Sequence, residues 1–286
     1  MNQHHRPTNR NPMAATRARH VRALCLTVIL FCKPLVAADP PELRAEYGIS
    51  GTFSIVAVDP KTGVCGAAVA SKFPAVGRVV PYVRAGVGAF CTQHWHHPPW
   101  GEHALDLLAA GHGPHETLGL LVQSDPRRDK RQLAIIDMTG RAANHNPSHA
   151  DDSGWYWGSM CGRYYACQGN TLTGRHVIIA MARAYEDTAG SLADRLMAAL
   201  VAADCAGGDH RGRLAAGMRV AKREVDGYWL ELQVEKSDDA VRDLFKQYVA
   251  LKHDAKGEWP NGRPPFQLPC PDRQQPRPPK SVSGRQ

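Results

Sequence analysis

A glycine–threonine pair opens a run of apolar and small residues, Gly51-Thr52-Phe53-Ser54-Ile55-Val56-Ala57-Val58-Asp59. A threonine hydroxyl is a weak nucleophile, and pairing it with an N-terminal amine is one way to activate it. A cut between Gly51 and Thr52 would put both groups on one residue. The hydroxyl would then attack an amide carbonyl, with the amine taking its proton and delivering it to the leaving group. Threonine also favours β-strands in its own right, so Thr52 reads equally as a plain strand start.

Other residues are candidates for the rest of such a site. A tetrahedral oxyanion needs preorganised donors, and Gln168-Gly169-Asn170 offers side-chain amides and backbone N–H groups. The alternative there is a turn in which Gln168 and Asn170 satisfy local backbone groups. Gly207-Gly208-Asp209-His210-Arg211-Gly212 is a polar rim for an anionic substrate group, with Arg211 as the fork-shaped donor, or an Asp209–Arg211 pair that stiffens a tight loop. Ser71 ends the second apolar run, where it hydrogen-bonds the Thr52 site if the two runs pair, or is a solvated loop serine. The positive charge of Arg84 would lower the pKa of a Thr52 amine, or Arg84 is a surface residue. Gln93, at the end of another strand, completes a substrate-binding set with Gln168, Gly169, Asp209, Arg211 and Arg84. In His94-Trp95-His96-His97 the first and third imidazoles share a face if the segment is a strand, which suits zinc or copper. No third acidic ligand stands at a useful spacing and Pro98-Pro99 follow, so a loop is the expectation, with no metal and no cofactor. The doublet Asp151-Asp152 is read as solvated, and Trp155-Tyr156-Trp157 as pocket, interface or packing residues.

These residues must be held by elements that the pattern places in order. Phe53–Val58 and Val64–Ala70, separated by Asp59-Pro60-Lys61-Thr62-Gly63, read as a buried hairpin. Ser71–Gly77 is a loop and Ala85–Gln93 a further strand. Helices are expected from Trp100 to a stop at Gly111 and over Pro114–Gln123, then a strand over Arg131–Asp137. Asn144–Tyr165 has no clear period and reads as a loop or irregular strand. Helices follow over 175–187 and 191–203, the second with Ser191 as N-cap and Asp194 three residues on. Strands over 214–222 and 228–234 and a helix over 238–251 complete the order. Strand runs separated by helix pairs suit an α+β domain better than alternating βαβ units.

The first 38 residues have the layout of an export signal: Arg17, Arg19, His20 and Arg22, an apolar core from Ala23 to Cys32, and small residues ending at Ala38. The core is too short for a comfortable membrane span and Lys33-Pro34 interrupts it. Residues 39–51 form a short pro-segment or linker and 52–254 the domain. Residues 255–286, rich in Pro, Arg and Gln, are expected to be a disordered tail. Export implies a periplasmic or extracellular protein with no stable membrane anchor after signal removal. Six cysteines then remain, and Cys161 with Cys167 is the nearest candidate couple. The formal charge of +8 draws on the Arg-rich ends, and no basic block interleaved with aromatics marks a nucleic-acid partner.

Thr52-Phe53-Ser54-Ile55-Val56-Ala57, Ala68-Val69-Ala70-Ser71, Ala85-Gly86-Val87-Gly88-Ala89, Thr92-Gln93, Arg131-Gln132, Gln168-Gly169-Asn170 and Gly207-Gly208-Asp209-x-Arg211-Gly212 together resemble a bacterial family known as domain of unknown function 1028. The resemblance covers roughly Thr52 to Leu251. It implies the fold of the N-terminal-nucleophile (Ntn) hydrolases, a four-layer αββα sandwich of two antiparallel sheets flanked by helix pairs. Family members commonly begin Met-Thr-Phe-Ser, whereas Thr52 follows a leader, so exposure here requires a cut at Gly51–Thr52, similar to the Gly–Thr junction of proteasome-type subunits. Two departures stand out, Asn144-His145-Asn146-Pro147 in place of a Thr-Gly pair and Leu214-Ala215-Ala216-Gly217 in place of a Gln-Ser-Ala-Ala-like run. The expected activity is hydrolysis of a C–N amide bond of a small molecule or short peptide. The rival is an unprocessed, non-catalytic secreted binding or assembly protein. Homo-oligomerisation is expected because exposed sheet edges need cover.

Overall fold

The computed structural model describes residues 48–49, 51–148, 155–254, 266 and 270. The expected signal segment, the doublet Asp151-Asp152 and nearly all of the tail lie outside the described residues. Among those described, no helix is long and apolar enough to cross a membrane.

The chain builds two antiparallel sheets and six α-helices among the described residues. β1 (Gly48–Ile49) leads into the hairpin of β2 (Thr52–Asp59) and β3 (Val64–Ser71). Then come α1 (Val76–Val79), β4 (Pro81–Arg84), β5 (Gly88–Trp95), α2 (Trp100–Ala109) and α3 (Pro114–Gln123). β6 (Arg131–Asp137), β7 (Ala142–His145), β8 (Tyr156–Gly162) and β9 (Tyr165–Leu172) follow. α4 (His176–Asp187), α5 (Leu192–Cys205), β10 (Ala215–Ala221), β11 (Leu230–Val234) and α6 (Ala240–Asp254) complete the order. One sheet runs β11-β10-β3-β2-β9-β8, and the other runs β1-β5-β6-β7 with β4 also paired to β5.

β2 shows why its sequence is apolar without alternation. Successive side chains point to opposite faces of a strand, and both faces of β2 are covered. Phe53, Ile55 and Ala57 pack with residues of α4, α5 and α6. Val56 and Val58 pack with Ala89, Cys91, Ala134 and Ile136 of the other sheet. The far face of that second sheet, through Phe90, Leu133 and Ile135, packs against Ala104, Leu105 and Leu108 of α2 and Leu118 and Leu121 of α3.

Several elements stand where the pattern predicts them, among them α3 from Pro114, with proline in its first turn, and β6. Ser191 caps α5 in a capping box, its hydroxyl accepting from the Asp194 N–H while the Asp194 carboxylate accepts from the Ser191 N–H. Residues 144–165, expected as a loop or irregular strand, carry the end of β7 and all of β8, an irregular strand whose partly exposed residues and register shift between Tyr156 and Gly158 leave no period to read. Two segments differ. Gln168 and Gly169 are paired to β2 and β8 on the two sides of β9, and Asn170 continues the same strand, instead of a turn. The segment after Ser71 holds the short helix α1.

The cysteines also correct an expectation. Cys161 and Cys167 are free, and the disulfide joins Cys205 to Cys270. Cys161 lies opposite Ala166 and Met160 opposite Cys167 in the β8–β9 register. The two thiols therefore point to opposite faces of the sheet despite their nearness in sequence. Burial pushes the thiols of Cys65, Cys91 and Cys167 up to about 12, so almost none of each is thiolate at pH 8. A chain beginning at Asp39 is expected to show one thiol, Cys161, to a disulfide-exchange reagent at that pH. Urea should raise the titre to four, and urea with reductant to six. Rapid native titration of a second thiol would contradict this arrangement.

Candidate active site at the Gly51–Thr52 junction

The hairpin turn sets the geometry. Asp59 accepts from Lys61 N and Thr62 Oγ1, and the turn closes through Gly63 N–H to Asp59 O at 2.9 Å with Gly63 at φ +71°. That register runs without a bulge along β2 and β3 to place Thr52 opposite Ser71. The Thr52 hydroxyl donates to Ser71 Oγ at 3.0 Å, and the Ser71 hydroxyl donates to the carbonyl oxygen of Gly51 at 3.0 Å. Ser71 Oγ also accepts the Phe73 N–H at 3.0 Å. A second donor, Lys72 N–H, reaches the same Gly51 oxygen at 3.4 Å. On the other side of Gly51 its N–H donates to Asn170 Oδ1 at 2.5 Å. Thr52 and Ser71 are wholly buried.

Asn170 is held in turn by a row of amides bridging the two sheets. Its Nδ2 donates to Gln132 Oε1 at 2.9 Å, which also accepts from Gln93 Nε2 at 2.8 Å. Gln132 Nε2 donates to Gly169 O at 2.9 Å and Asn146 Oδ1 at 3.0 Å, with Gly158 O at 3.4 Å. Gln93 further contacts Thr52 O through Nε2 at 3.4 Å and accepts from Ser54 Oγ at 2.7 Å. Gln168 Nε2 reaches Ser54 Oγ at 3.4 Å, while its Oε1 is buried without a partner.

The glycine-rich loop after α5 closes the site from outside. Asp209, fully buried, takes Arg211 in a fork, with Nη2 at 3.0 Å on Oδ2 and Nε at 3.2 Å on Oδ1. Its Oδ2 also accepts Lys72 N–H at 3.3 Å. Burial raises the Asp209 carboxyl above the ordinary carboxylate range, opposed by the Arg211 guanidinium. The pair lies against Gly51, where a Cβ would fall 2.1 Å from Asp209 Oδ2 and 1.7 Å from Arg211 Nη2. Gly51 is also at φ +80°, a region glycine enters freely and L-residues do not. Next to the pair, His210 donates from Nδ1 to Thr171 O at 2.9 Å and stacks on Trp155 at 4.0 Å between ring centres.

The structure thus gathers Thr52, Ser71, Gln93, Gln168, Gly169, Asn170, Asp209 and Arg211 within one connected network or directly beside it. It separates Arg84. Cys65 Sγ donates to Arg84 O, and Cys65 pairs with Val58 at the far end of β2, roughly 20 Å from Thr52 at about 3.3 Å per residue. Arg84 instead forks onto Asp106 at 2.7 Å and Glu102 at 2.5 Å. Asn170, the expected oxyanion donor, here accepts the Gly51 N–H with Oδ1 and donates from Nδ2 to Gln132. The donors on the Gly51 oxygen are Ser71 and Lys72 N–H. Gln132 and Asn146 are not among the site residues expected from sequence, although Arg131-Gln132 carries part of the family resemblance and Asn146 lies in a departure from it. Gln132 carried a usable signal, a polar residue one step before the apolar run Leu133–Ile136. The His94–His97 segment straddles the end of β5, and the described residues hold no group of three or more His, Cys, Asp or Glu set for a metal.

Comparison with known proteins places these features. The model of a family of unknown function (DUF1028) matches residues 52–244, beginning at the threonine itself. A crystal structure of a Silicibacter pomeroyi protein of that family is similar with a TM-score of 0.65 and 28% identity, over 79% of this chain and 99% of that one. That structure is thus matched over almost its whole length, while about a fifth of this chain has no counterpart in it. No curated protein matches.

Removing the amide at the centre of the network should unbalance it. Gln132→Met keeps the length of the side chain but strips partners from Asn170, Gln93, Asn146 and Gly169. Each buried polar group left unsatisfied costs about 1–3 kcal/mol, so urea unfolding should show a loss of about 3 kcal/mol or more. A loss under about 1 kcal/mol would mean the network is dispensable.

Proposed function

The chain belongs to the family of unknown function DUF1028, and from its own residues we propose that it is an exported amide hydrolase working through Thr52 as N-terminal nucleophile. The observation that carries the reading is the set of contacts on the Gly51–Thr52 peptide. A hydroxyl lies beside its own amide, and the carbonyl oxygen of that amide faces two donors, Ser71 Oγ and Lys72 N–H. The stacking of helices on a sheet, sheet on sheet, and helices again, carried by three apolar clusters, supports the four-layer αββα sandwich of Ntn hydrolases.

The cut is an acyl shift followed by hydrolysis. Thr52 Oγ1 attacks the Gly51 carbonyl carbon and passes its proton to Ser71 Oγ, while the Ser71 proton moves to the carbonyl oxygen. Collapse of the tetrahedral intermediate returns that proton to the Thr52 nitrogen, breaks the C–N bond and leaves an ester on Oγ1. Water then hydrolyses the ester, releasing the Gly51 carboxylic acid and a Thr52 with a free hydroxyl and amine. The same residue next attacks an external amide, its amine taking the hydroxyl proton and delivering it to the leaving amine. Before the cut Thr52 is covered, so removal of the preceding residues both makes the base and opens the site. The substrate is a small molecule or short peptide, and the exported form carries no leader.

Intact mass and N-terminal sequencing of exported protein test this. The expected chain starts at Thr52, and Thr52→Ala should remain uncut. Ser71→Ala removes one donor from the carbonyl oxygen and should slow the cut by about 10²-fold or more. Wild-type chain that stays joined at Gly51–Thr52 would sink the hydrolase reading and favour an unprocessed binding protein.

A further inference from the structure

Gly48, Ile49 and Gly51, ahead of Thr52, are themselves held at the site. Gly48 and Ile49 pair antiparallel with Trp95 and His94 at the end of β5. Beyond that point β5 is flanked on the same side by β4, which pairs only with Gly88 to Cys91. Loss of β1 therefore leaves a short stretch of β5 with its hydrogen-bonding edge open, and an open edge is a template for another strand. Gly51 is read at three points. Its N–H is accepted by Asn170, its carbonyl oxygen faces Ser71 and Lys72 N–H, and its α-carbon abuts Asp209 and Arg211. Asp209 cannot retreat easily, since it is buried and fixed by Arg211 and by Lys72 N–H. A side chain on that carbon meets the carboxylate, and a substituent on that nitrogen displaces the Asn170 contact.

Building on the hydrolase reading, we propose that the space vacated by Gly48, Ile49 and Gly51 is the acyl side of the mature site. Its substrate is a peptide that lies as an added strand on β5 and is cleaved after a glycine. The leader is a built-in copy of the acyl half of that substrate. The specificity resides in the acceptor Asn170 and the wall Asp209–Arg211, and the leaving amine is unrestricted by these contacts. Cleavage adds water across the glycyl C–N bond, giving a peptide ending in a glycine carboxylic acid and a free amine.

The test uses the chain beginning at Thr52, obtained by self-cleavage or expressed with only an initiator Met ahead of it. Calorimetry would follow binding of the peptide acetyl-Tyr-Gly-Ile-Ser-Gly, which copies residues 47–51, with a free C-terminus. Two analogues end in L-alanine and in N-methylglycine. The glycine peptide is expected to bind, and both analogues at least about tenfold more weakly, since one meets the Asp209 wall and the other loses the Asn170 contact. Equal binding of the three, or none by the glycine peptide, would overturn the proposal. The 4-nitroanilides of the glycine and alanine peptides separate it from the hydrolase reading. Selective binding with no anilide cleaved would sink the hydrolase reading alone. Cleavage of both at equal kcat/KM would preserve that reading and sink the glycine subsite.

Discussion

The two sheets meet through two different kinds of contact, and the change from one to the other locates the site. Over most of their area the contact is apolar, with Val56 and Val58 facing Ala89, Cys91, Ala134 and Ile136. At the Thr52 end it is made of side-chain amides, with Gln132 as their junction. Its oxygen accepts from two neighbouring amides and its nitrogen serves a β9 carbonyl and Asn146. Such a group is favourable only when complete, because the low polarity that strengthens each bond also raises the cost of a missing one. The junction fixes Asn170 against Gly51 and Gln93 against Thr52 O. The position of the candidate nucleophile thus depends on a residue from the opposite sheet.

Charge is distributed to match. At the far end of the hairpin, Arg84 is half-exposed and meets Glu102 and Asp106 at the surface, where water screens such pairs to little net effect. At the near end, Asp209 is buried and its proton affinity is raised despite a forked arginine. A charge in that setting persists only while its partners stay in place. The glycine-rich loop therefore acts as a rigid wall whose shape is set by one carboxylate, which explains why a single missing Cβ at residue 51 matters.

Much of this was legible from residues alone, and the failures have physical causes. Asp59-Pro60-Lys61-Thr62-Gly63 announces its turn, and two apolar runs of similar length leave little choice of register, so the approach of Ser71 to Thr52 was readable. Ser191 and Asp194 announce the start of α5. Gln168-Gly169-Asn170 misleads because its composition is that of a turn, while pairing of Gln168 and Gly169 on both sides makes it part of a strand. Its parity, which turns Gln168 and Asn170 toward the other sheet, follows only from the register with β2. Gln132 hides in the same way, since a polar residue at a strand start commonly faces water and here faces Asn170. β8 has no period because its residues are only partly covered. Cys161 and Cys167 look like partners in sequence, but pleating turns them apart, and the partner of Cys205 lies in a segment whose composition suggests no structure.

That last bond has a topological consequence. Cys205 ends α5, immediately before the loop that carries Asp209, and its partner Cys270 lies 65 residues further on. The stretch between them holds β10, β11 and α6, so the outer edge of one sheet and its covering helix form a ring closed by sulfur. By loop-closure entropy a ring of that size disfavours the unfolded chain by about 4 kcal/mol. A peptide bond hydrolysed anywhere within the ring would leave the two fragments joined in one molecule. The segment near residue 270 would therefore stay attached to the loop beside the site until the sulfurs are reduced.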